Sequence, residues 1–248
     1  MQFMMMHKVD DDMECGRPPS PEVMERRGVF LEESTKSGQL LGGEGLQASK
    51  TRTRLTFVGG EVTTRNGPYT GHNELPARVC LIKVKTPEEA VDWATRYGKI
   101  LSDGELELGP VTEAWDMGLM PRPDDAPLRF LLIHKAGAGY EAGTPPSAKQ
   151  KAGMTRLTTE MNKAGVLIST VNLQPSARSA RIKLDGTGRT VVDGPFAESK
   201  ELIAGYGLLE LPSKEAAIEA GSNFAAVFGP GVPMEIDVRP VGDDPYLE

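Results

Sequence analysis

The sequence predicts an α+β protein built from two tandem repeats, and three observations favour this fold class. The 248-residue chain repeats its own pattern at one constant offset, the offset that aligns His7 with His134. Short apolar runs, typical of strands, alternate with longer segments whose apolar residues recur at helical spacing. A stretch containing several prolines and aspartates lies between the repeats. We therefore expect domains at residues 1–117 and 128–241, joined by a linker at 118–127.

The duplication extends along most of each half. The matching segments and residues are Phe3 to Lys8 with Phe130 to Lys135, Pro18-Pro19-Ser20 with Pro145-Pro146-Ser147, Gly38 with Gly165, Leu46-Gln47 with Leu173-Gln174, Ser49 with Ser176, Arg54 with Arg181, Gly67-Pro68 with Gly194-Pro195, and Glu74-Leu75 with Glu201-Leu202. Matches of this extent at one offset are not expected by chance. The two halves are therefore expected to share one structural plan.

The second repeat shows the order of elements most clearly. Its predicted elements are a strand at 130–133, a helix from 147 to 164, a strand at 166–173, a hairpin of 180–184 and 189–192, a strand at 202–211, a helix capped by Ser213, and a strand at 234–239. Ser147 is a candidate N-cap, and Gly165 can supply a left-handed stop. This order resembles a ferredoxin-like plan with an inserted hairpin.

The apolar strands predict how the repeats associate. Two helices cover only one face of such a sheet, yet residues 130–133 and Leu208-Leu209 are apolar on both faces. Leaving one such side chain in water forfeits roughly 1.5–3 kcal/mol. We therefore expect the repeats to bury their open faces against each other as a pseudo-dimer within one chain. The alternative is two independent domains, which would expose apolar faces or require a further homo-oligomer.

Composition excludes several classes of function. The net charge of −7 argues against nucleic acid, because phosphate binding needs a basic face. The apolar run at residues 3–6 is too short for a signal peptide or a membrane span. Cys15 and Cys80 form neither a disulfide framework nor a metal-type spacing, and no dinucleotide glycine fingerprint occurs. We expect a cytoplasmic protein without a metal or cofactor.

Asp193 and His134 are the candidate catalytic residues. Asp193 precedes Gly194-Pro195 at a turn, where it can serve as a general base or simply bond nearby amides. His134 ends an apolar strand, and a histidine side chain ordinarily titrates near neutral pH. Together they would form a carboxylate–imidazole dyad. The alternative is a turn aspartate and a structural histidine that never meet.

Five further residues are candidates for substrate binding. Lys200 and Glu198 form a charged cluster that either contacts a polar ligand or lies in solvent. Arg181 can grip a carboxylate or extend along the sheet edge, and Phe196 can stack on a ligand or anchor the core. His7 is the counterpart of His134 in the first repeat.

The first copy of the motif is altered. Asn66 replaces Asp193 and cannot act as a base, and His72 stands at the position of Ser199. We therefore predict that the second copy is the working site. The activity of the first copy stays open.

The motif resembles that of a known family. The YCII-related family, also called the DGPF family, is similar at Val192 to Glu198, at Lys200-Glu201 and at Gly205-Tyr206. The resemblance spans most of the second half, including His134. It implies a ferredoxin-like domain that pairs into a dimeric α/β barrel, in a bacterial cytoplasmic protein. It also implies an Asp–His pair at a cleft.

Three functions compete. The first is an acid–base enzyme of the lyase, isomerase or hydrolase type that acts on a small polar substrate through Asp193 and His134. The second is a ligand-sensing or regulatory module that uses the same cleft. The third is a structural pseudo-dimer with only a partner surface. A perturbed titration of His134 that is coupled to Asp193 would favour the first function, whereas an ordinary exposed histidine would favour the other two.

Overall fold

The computed structural model describes residues 1–17, 19–185, 187–196, 199–229 and 231–246. Its strands are β1 Gln2–Lys8, β2 Leu40–Gly45, β3 Thr53–Val58, β4 Glu61–Asn66, β5 Pro76–Val84, β6 Gly104–Pro110, β7 Leu128–Lys135, β8 Leu167–Leu173, β9 Ala180–Asp185, β10 Gly188–Asp193, β11 Ile203–Glu210 and β12 Met234–Gly242. Its helices are α1 Asp11–Glu14, α2 Pro21–Lys36, α3 Pro87–Leu101, α4 Ala138–Glu141, α5 Ala148–Lys163 and α6 Lys214–Ala226. The α+β class is confirmed.

Local sequence signals explain the helix ends. The Ser147 hydroxyl accepts from the backbone N–H of Gln150, and the Gln150 side chain bonds back to the N-cap backbone. This reciprocal capping box starts α5 where the sequence predicts it. Gly165 follows α5 with a φ of 66°, a left-handed conformation that suits glycine. In the first half, Ser20 caps α2 through the N–H of Val23.

The described strands form one twelve-stranded sheet with two similar groups. One group has the order β2-β11-β1-β12, with β9 and β10 added beyond β12, and the other has the order β8-β5-β7-β6-β3-β4. The groups join where β12 pairs with β8 through Val241↔Leu173 and Gly242↔Asn172. The path is open, with β2 and β4 at its ends and one isolated bridge between Leu46 and Val111. A closed barrel is therefore not formed by strand pairing.

The two halves of the chain exchange strands. In the first group, β1 and β2 pair with β11 and β12 from the second half. In the second group, β7 and β8 pair with β5 and β6 from the first half. The two independent domains considered as an alternative are incompatible with this pairing. The duplication boundaries at 117 and 128 remain a prediction from the repeat.

The apolar residues on both faces of β7 are buried as predicted. Phe130 and Leu132 join a core beneath α3 and α5. Leu131 and Ile133 join a second core whose residues come only from strands and adjoining loops of both groups. The faces that two helices leave uncovered thus bury each other, which removes the penalty of exposed apolar surface.

Two buried charge clusters also link the halves. Lys8 of β1 lies 3.1 Å from Asp237 of β12, which is fully buried and also bound by Arg181. In the other group, Lys135 of β7 contacts Glu74 and Glu107, and Arg54 lies 2.9 Å from each carboxylate. Removing one member of such a cluster leaves an uncompensated buried charge.

Candidate functional site

The motif around Asp193-Gly194-Pro195-Phe196 holds a hairpin against a short 3-10 turn at Ser176–Arg178. The N–H of Gly194 donates to the carbonyl of Ser179 at 3.0 Å, and that of Phe196 donates to the Ser176 hydroxyl at 3.1 Å. A side chain at Gly194 would meet the Ser176 carbonyl oxygen at 1.8 Å, so only glycine fits.

The first copy repeats these contacts. Gly67 donates to the Arg52 carbonyl at 3.0 Å, and Tyr69 donates to the Ser49 hydroxyl at 3.3 Å. Both Gly67-Pro68 and Gly194-Pro195 are cis peptide bonds. Because the altered copy keeps the same architecture, these motif positions have a structural role in both halves.

The structure does not bring the predicted dyad together. Asp193 ends the edge strand β10, its side chain is 75 % exposed, and its carboxylate accepts from Lys214 at 2.6 Å. His134 lies on β7, and no hydrogen bond or ion pair joins the two among the described residues. Asp193 points to solvent because β10 is exposed along its whole length. The turn interpretation of Asp193 therefore fits better than the catalytic one.

The predicted substrate-binding residues are scattered. Arg181 donates to Asp237 at 2.6 and 3.0 Å and lies 4.4 Å from the centre of the Phe196 ring. These contacts are internal to the protein, and the ligand contacts predicted for both residues stay predictions. Lys200 is exposed, and Glu198 lies outside the described residues. His7 is buried and packs against Phe224, with ring centres 5.4 Å apart.

In the altered motif copy, Asn66 is exposed and accepts from the Thr53 hydroxyl at 3.0 Å. His72 lies 3.1 Å from Arg54 through its Nδ1. Among the described residues, no hydrogen bond or ion pair joins either side chain to His134.

His134 lines a large cleft between β7, the loop at 137–146 and the C-terminal segment at 242–246. The cleft has a volume of about 890 Å³, and its wall includes Lys135, Tyr140, Gln150, Gln174 and Tyr246. A cleft of this size with a few convergent polar groups is a usual form of a small-molecule site. His134 is partly buried at its wall.

Three residues surround His134 on the helix-facing side of the sheet. Arg78 of β5 pairs in register with both His134 and Asn172, so the three form a polar row across neighbouring strands. The Tyr97 hydroxyl of α3 lies 3.5 Å from Nδ1 of His134. Burial, followed by the positive charge of Arg78, lowers the pKa of His134 to about 4. The imidazole is therefore neutral at pH 7.

Arg78 itself is almost fully buried, with 2 % of its surface exposed. It lies 3.1 Å from Asp244 and 5.3 Å from the centre of the Tyr246 ring, both in the C-terminal segment. Its Nε and Nη1 have no hydrogen-bond acceptor among the described residues. Burial also raises the pKa of Tyr97 well above its ordinary value, so this hydroxyl stays protonated.

The duplication supplies a matched comparison around His7. At the offset that aligns His7 with His134, Arg78 corresponds to Gly205, Tyr97 to Phe224 and Asn172 to Gly45. His7 pairs in register with Gly205, which in turn pairs with Gly45. The two halves therefore differ in the residues around the aligned histidines as well as within the motif.

Sequence reasoning missed this polar row. Arg78, Tyr97 and Asn172 lie far from the motif and from His134 in the chain, and they meet only through strand pairing and helix packing. A comparison of the two halves could have found them, since each corresponds to a glycine or phenylalanine at the same offset.

Among the described residues, no helix is long and apolar enough to cross a membrane. Within the same ranges, no group of three or more histidine, cysteine or acidic residues is placed to hold a metal ion. No curated protein and no solved structure matches the chain significantly. The profile of the YCII-related domain matches residues 128–241, which contain His134, β7 to β11 and nearly all of β12. The resemblance of the motif to the YCII-related family is therefore confirmed for residues 128–241.

Proposed function

We propose that the cleft at His134 binds a small polar organic molecule and that His134 is its acid–base group. The observation that carries this proposal is a neutral imidazole on the wall of a cleft of about 890 Å³, with its Nδ1 side next to the Tyr97 hydroxyl. A neutral imidazole offers one donor and one acceptor nitrogen. A ligand can therefore either accept a hydrogen bond from the imidazole or donate one to it.

His134 would take a proton from the ligand, with Tyr97 orienting the ring. A base with a pKa of about 4 is weak at neutral pH, so the site by itself is not well matched to proton transfer. A ligand that develops negative charge beside the imidazole would raise the pKa of His134 and favour transfer. Lyase and isomerase steps that begin with loss of a carbon-bound proton have this property.

The same low pKa favours a second candidate, a ligand-sensing module in which His134 only hydrogen-bonds. Such a site would bind the molecule without catalysing a reaction. The two candidates use the same residues and differ only in whether a proton moves.

We also propose that each six-stranded group is a ferredoxin-like unit and that the two form a pseudo-dimer. The constant offset between the repeats converts the order β8-β5-β7-β6 into β2-β11-β1-β12, so the groups are equivalent. Each unit then combines the first half of one repeat with the second half of the other. The shared strand core supports this arrangement.

The proposed function is tested by an NMR screen of small polar fragments on labelled protein. The chain has only three histidines, so the His134 imidazole signal can be followed with His7 as the internal reference, whereas His72 lines the same cleft as His134. We expect bound fragments to shift the His134 signal. His134→Gln should weaken their binding at least tenfold, whereas His7→Gln should not.

The fragments that bind also separate the two candidates. Incubation in D₂O should place deuterium on a ligand carbon if His134 moves a proton, and His134→Gln should abolish this exchange. Binding without deuterium exchange would favour the ligand-sensing module over the enzyme. Fragments that bind equally well to His134→Gln would reject the site altogether.

A further inference from the structure

A second cavity lies under α2, in the other half of the sheet. Its volume is about 380 Å³, and its wall is mostly apolar, with Met5, Phe30, Leu40, Leu209 and Phe224. It is separate from the His134 cleft, with which it shares no lining residue. The volume lies within the range of about 300–1,000 Å³ that is usual for small-molecule pockets.

The duplication explains why this cavity exists. In the second half, α5 fills the equivalent space with Met154, Leu157 and Met161, all buried. At the corresponding positions of the first repeat, α2 has Arg27, Phe30 and Ser34 instead. On the sheet below, Gly45 and Gly205 replace Asn172 and Arg78. Phe30 packs partly against the core, but the other apolar side chains that would fill the space are absent, and α2 has no fully buried residue.

Arg27 gives the cavity its polarity. The guanidinium lies at the cavity wall close enough to lower the pKa of His7, after the larger effect of burial. Within the described part of the chain, no acid and no carbonyl oxygen bonds the Arg27 side chain. Burial lowers the pKa of Arg27, which is the cost of a cation without a counter-ion in apolar surroundings.

The other charged group at the wall does not neutralise Arg27. Glu44 lines the cavity, but its carboxylate accepts from Arg129 at 2.6 Å. His7 is neutral, and Tyr206 keeps its proton because burial raises its pKa to about 12. The cavity therefore combines an apolar volume with one cation that lacks an anion.

We propose that this cavity is a second binding site, specific for a small apolar carboxylate whose chain fills the space under α2 and whose head pairs with Arg27. An apolar tail would replace the side chains that α5 provides in the other half. The carboxylate would supply a bidentate partner for the guanidinium. This site does not depend on any chemistry at His134.

Octanoate is the probe for this site. Octan-1-ol serves as the comparison molecule of the same chain length without a charge, and butyrate as the comparison carboxylate with a shorter chain. We expect octanoate to shift the imidazole signals of His7 and the amide signals of α2, and to bind at least tenfold more tightly than either comparison molecule. Octanoate should also raise the pKa of His7, because its charge offsets that of Arg27.

Arg27→Met is the decisive variant, because it introduces the residue found at the equivalent position of α5. It should fill part of the cavity, keep or raise the melting temperature, and weaken octanoate binding at least tenfold. Arg65→Met, on the exposed strand β4, removes the same charge elsewhere and should leave binding unchanged.

Three results would overturn the proposal. They are no octanoate binding to the unaltered protein, equal affinity for octanoate and octan-1-ol, and unchanged octanoate affinity in Arg27→Met. None of them bears on fragment binding at His134, so the two sites are judged separately.

Discussion

Lowering the pH from 7 to 4 is expected to reduce the free energy of unfolding by about 6 kcal/mol through His7 and His134. In the folded protein their pKa values are about 3 and about 4, against 6.5 for an ordinary histidine. The folded state therefore resists protonation, whereas the unfolded state takes up a proton below pH 6.5. The stability contributed by the neutral rings is complete above pH 6.5 and is lost as the pH falls toward the folded pKa values. Each histidine accounts for about 3 kcal/mol at pH 4.

Urea unfolding at pH 7, 5.5 and 4 measures this effect. The double variant His7→Gln, His134→Gln should lose most of the dependence between pH 6.5 and 4, and each single variant about half. Asp237 also has a lowered pKa, because the charges of Lys8 and Arg181 outweigh its burial. Its ordinary pKa is 3.8, so its contribution is lost mainly below pH 4. An unchanged pH dependence in the double variant would show that the histidines are not buried as neutral rings.

Asp237→Asn should destabilise the protein by about 3–5 kcal/mol, the range for breaking a buried ion pair. Asp237 is fully buried, lies 3.1 Å from Lys8, and bonds Arg181 at 2.6 Å. The substitution leaves Lys8 in the interior with a partner of no charge, whereas Arg181 keeps Glu235 at 3.2 Å. Because Lys8 comes from β1 and the other two from β9 and β12, it also weakens the contact between the two halves of the chain.

Glu107→Gln makes the equivalent change in the other group, where Arg52, Arg54 and Lys135 surround the carboxylate. It should cost a similar free energy, measured by urea unfolding at pH 7. Asp124→Asn, an exposed acid in the connection between β6 and β7, serves as the control and should change stability by less than about 0.5 kcal/mol. A loss below about 1 kcal/mol in both cluster variants would mean that these charges are hydrated.

Elements determined by local sequence were predictable. The capping box at Ser147, the hairpin of β9 and β10, and the two-faced burial of residues 130–133 follow from short-range patterns. Strand exchange was not predictable in this way. The apolar runs in the two halves are so alike that β1 and β7 are equally suited to either group. Only long-range packing selects the partner.

The candidate site shows the same limit. His134 was identified from its position at the end of an apolar strand, and it does line the cleft. Asp193 was identified from a motif whose residues mainly shape a turn. Arg78 lies far before His134 in the chain and reaches it only because β5 and β7 are neighbours. Proximity of this kind is decided by topology and leaves no local trace in the sequence.

We infer that burial and Arg78, with Tyr97 beside the ring, govern the protonation of His134, whereas Asp193 does not. NMR titration of the His134 imidazole in the unaltered protein and in two variants tests it most directly. We predict a pKa near 4 in the unaltered protein and the same value in Asp193→Asn. In Arg78→Met the pKa should be higher but still below 6.5, because burial remains the larger cause. A pKa of 6.5 or above in the unaltered protein, or a clear shift in Asp193→Asn, would contradict the account.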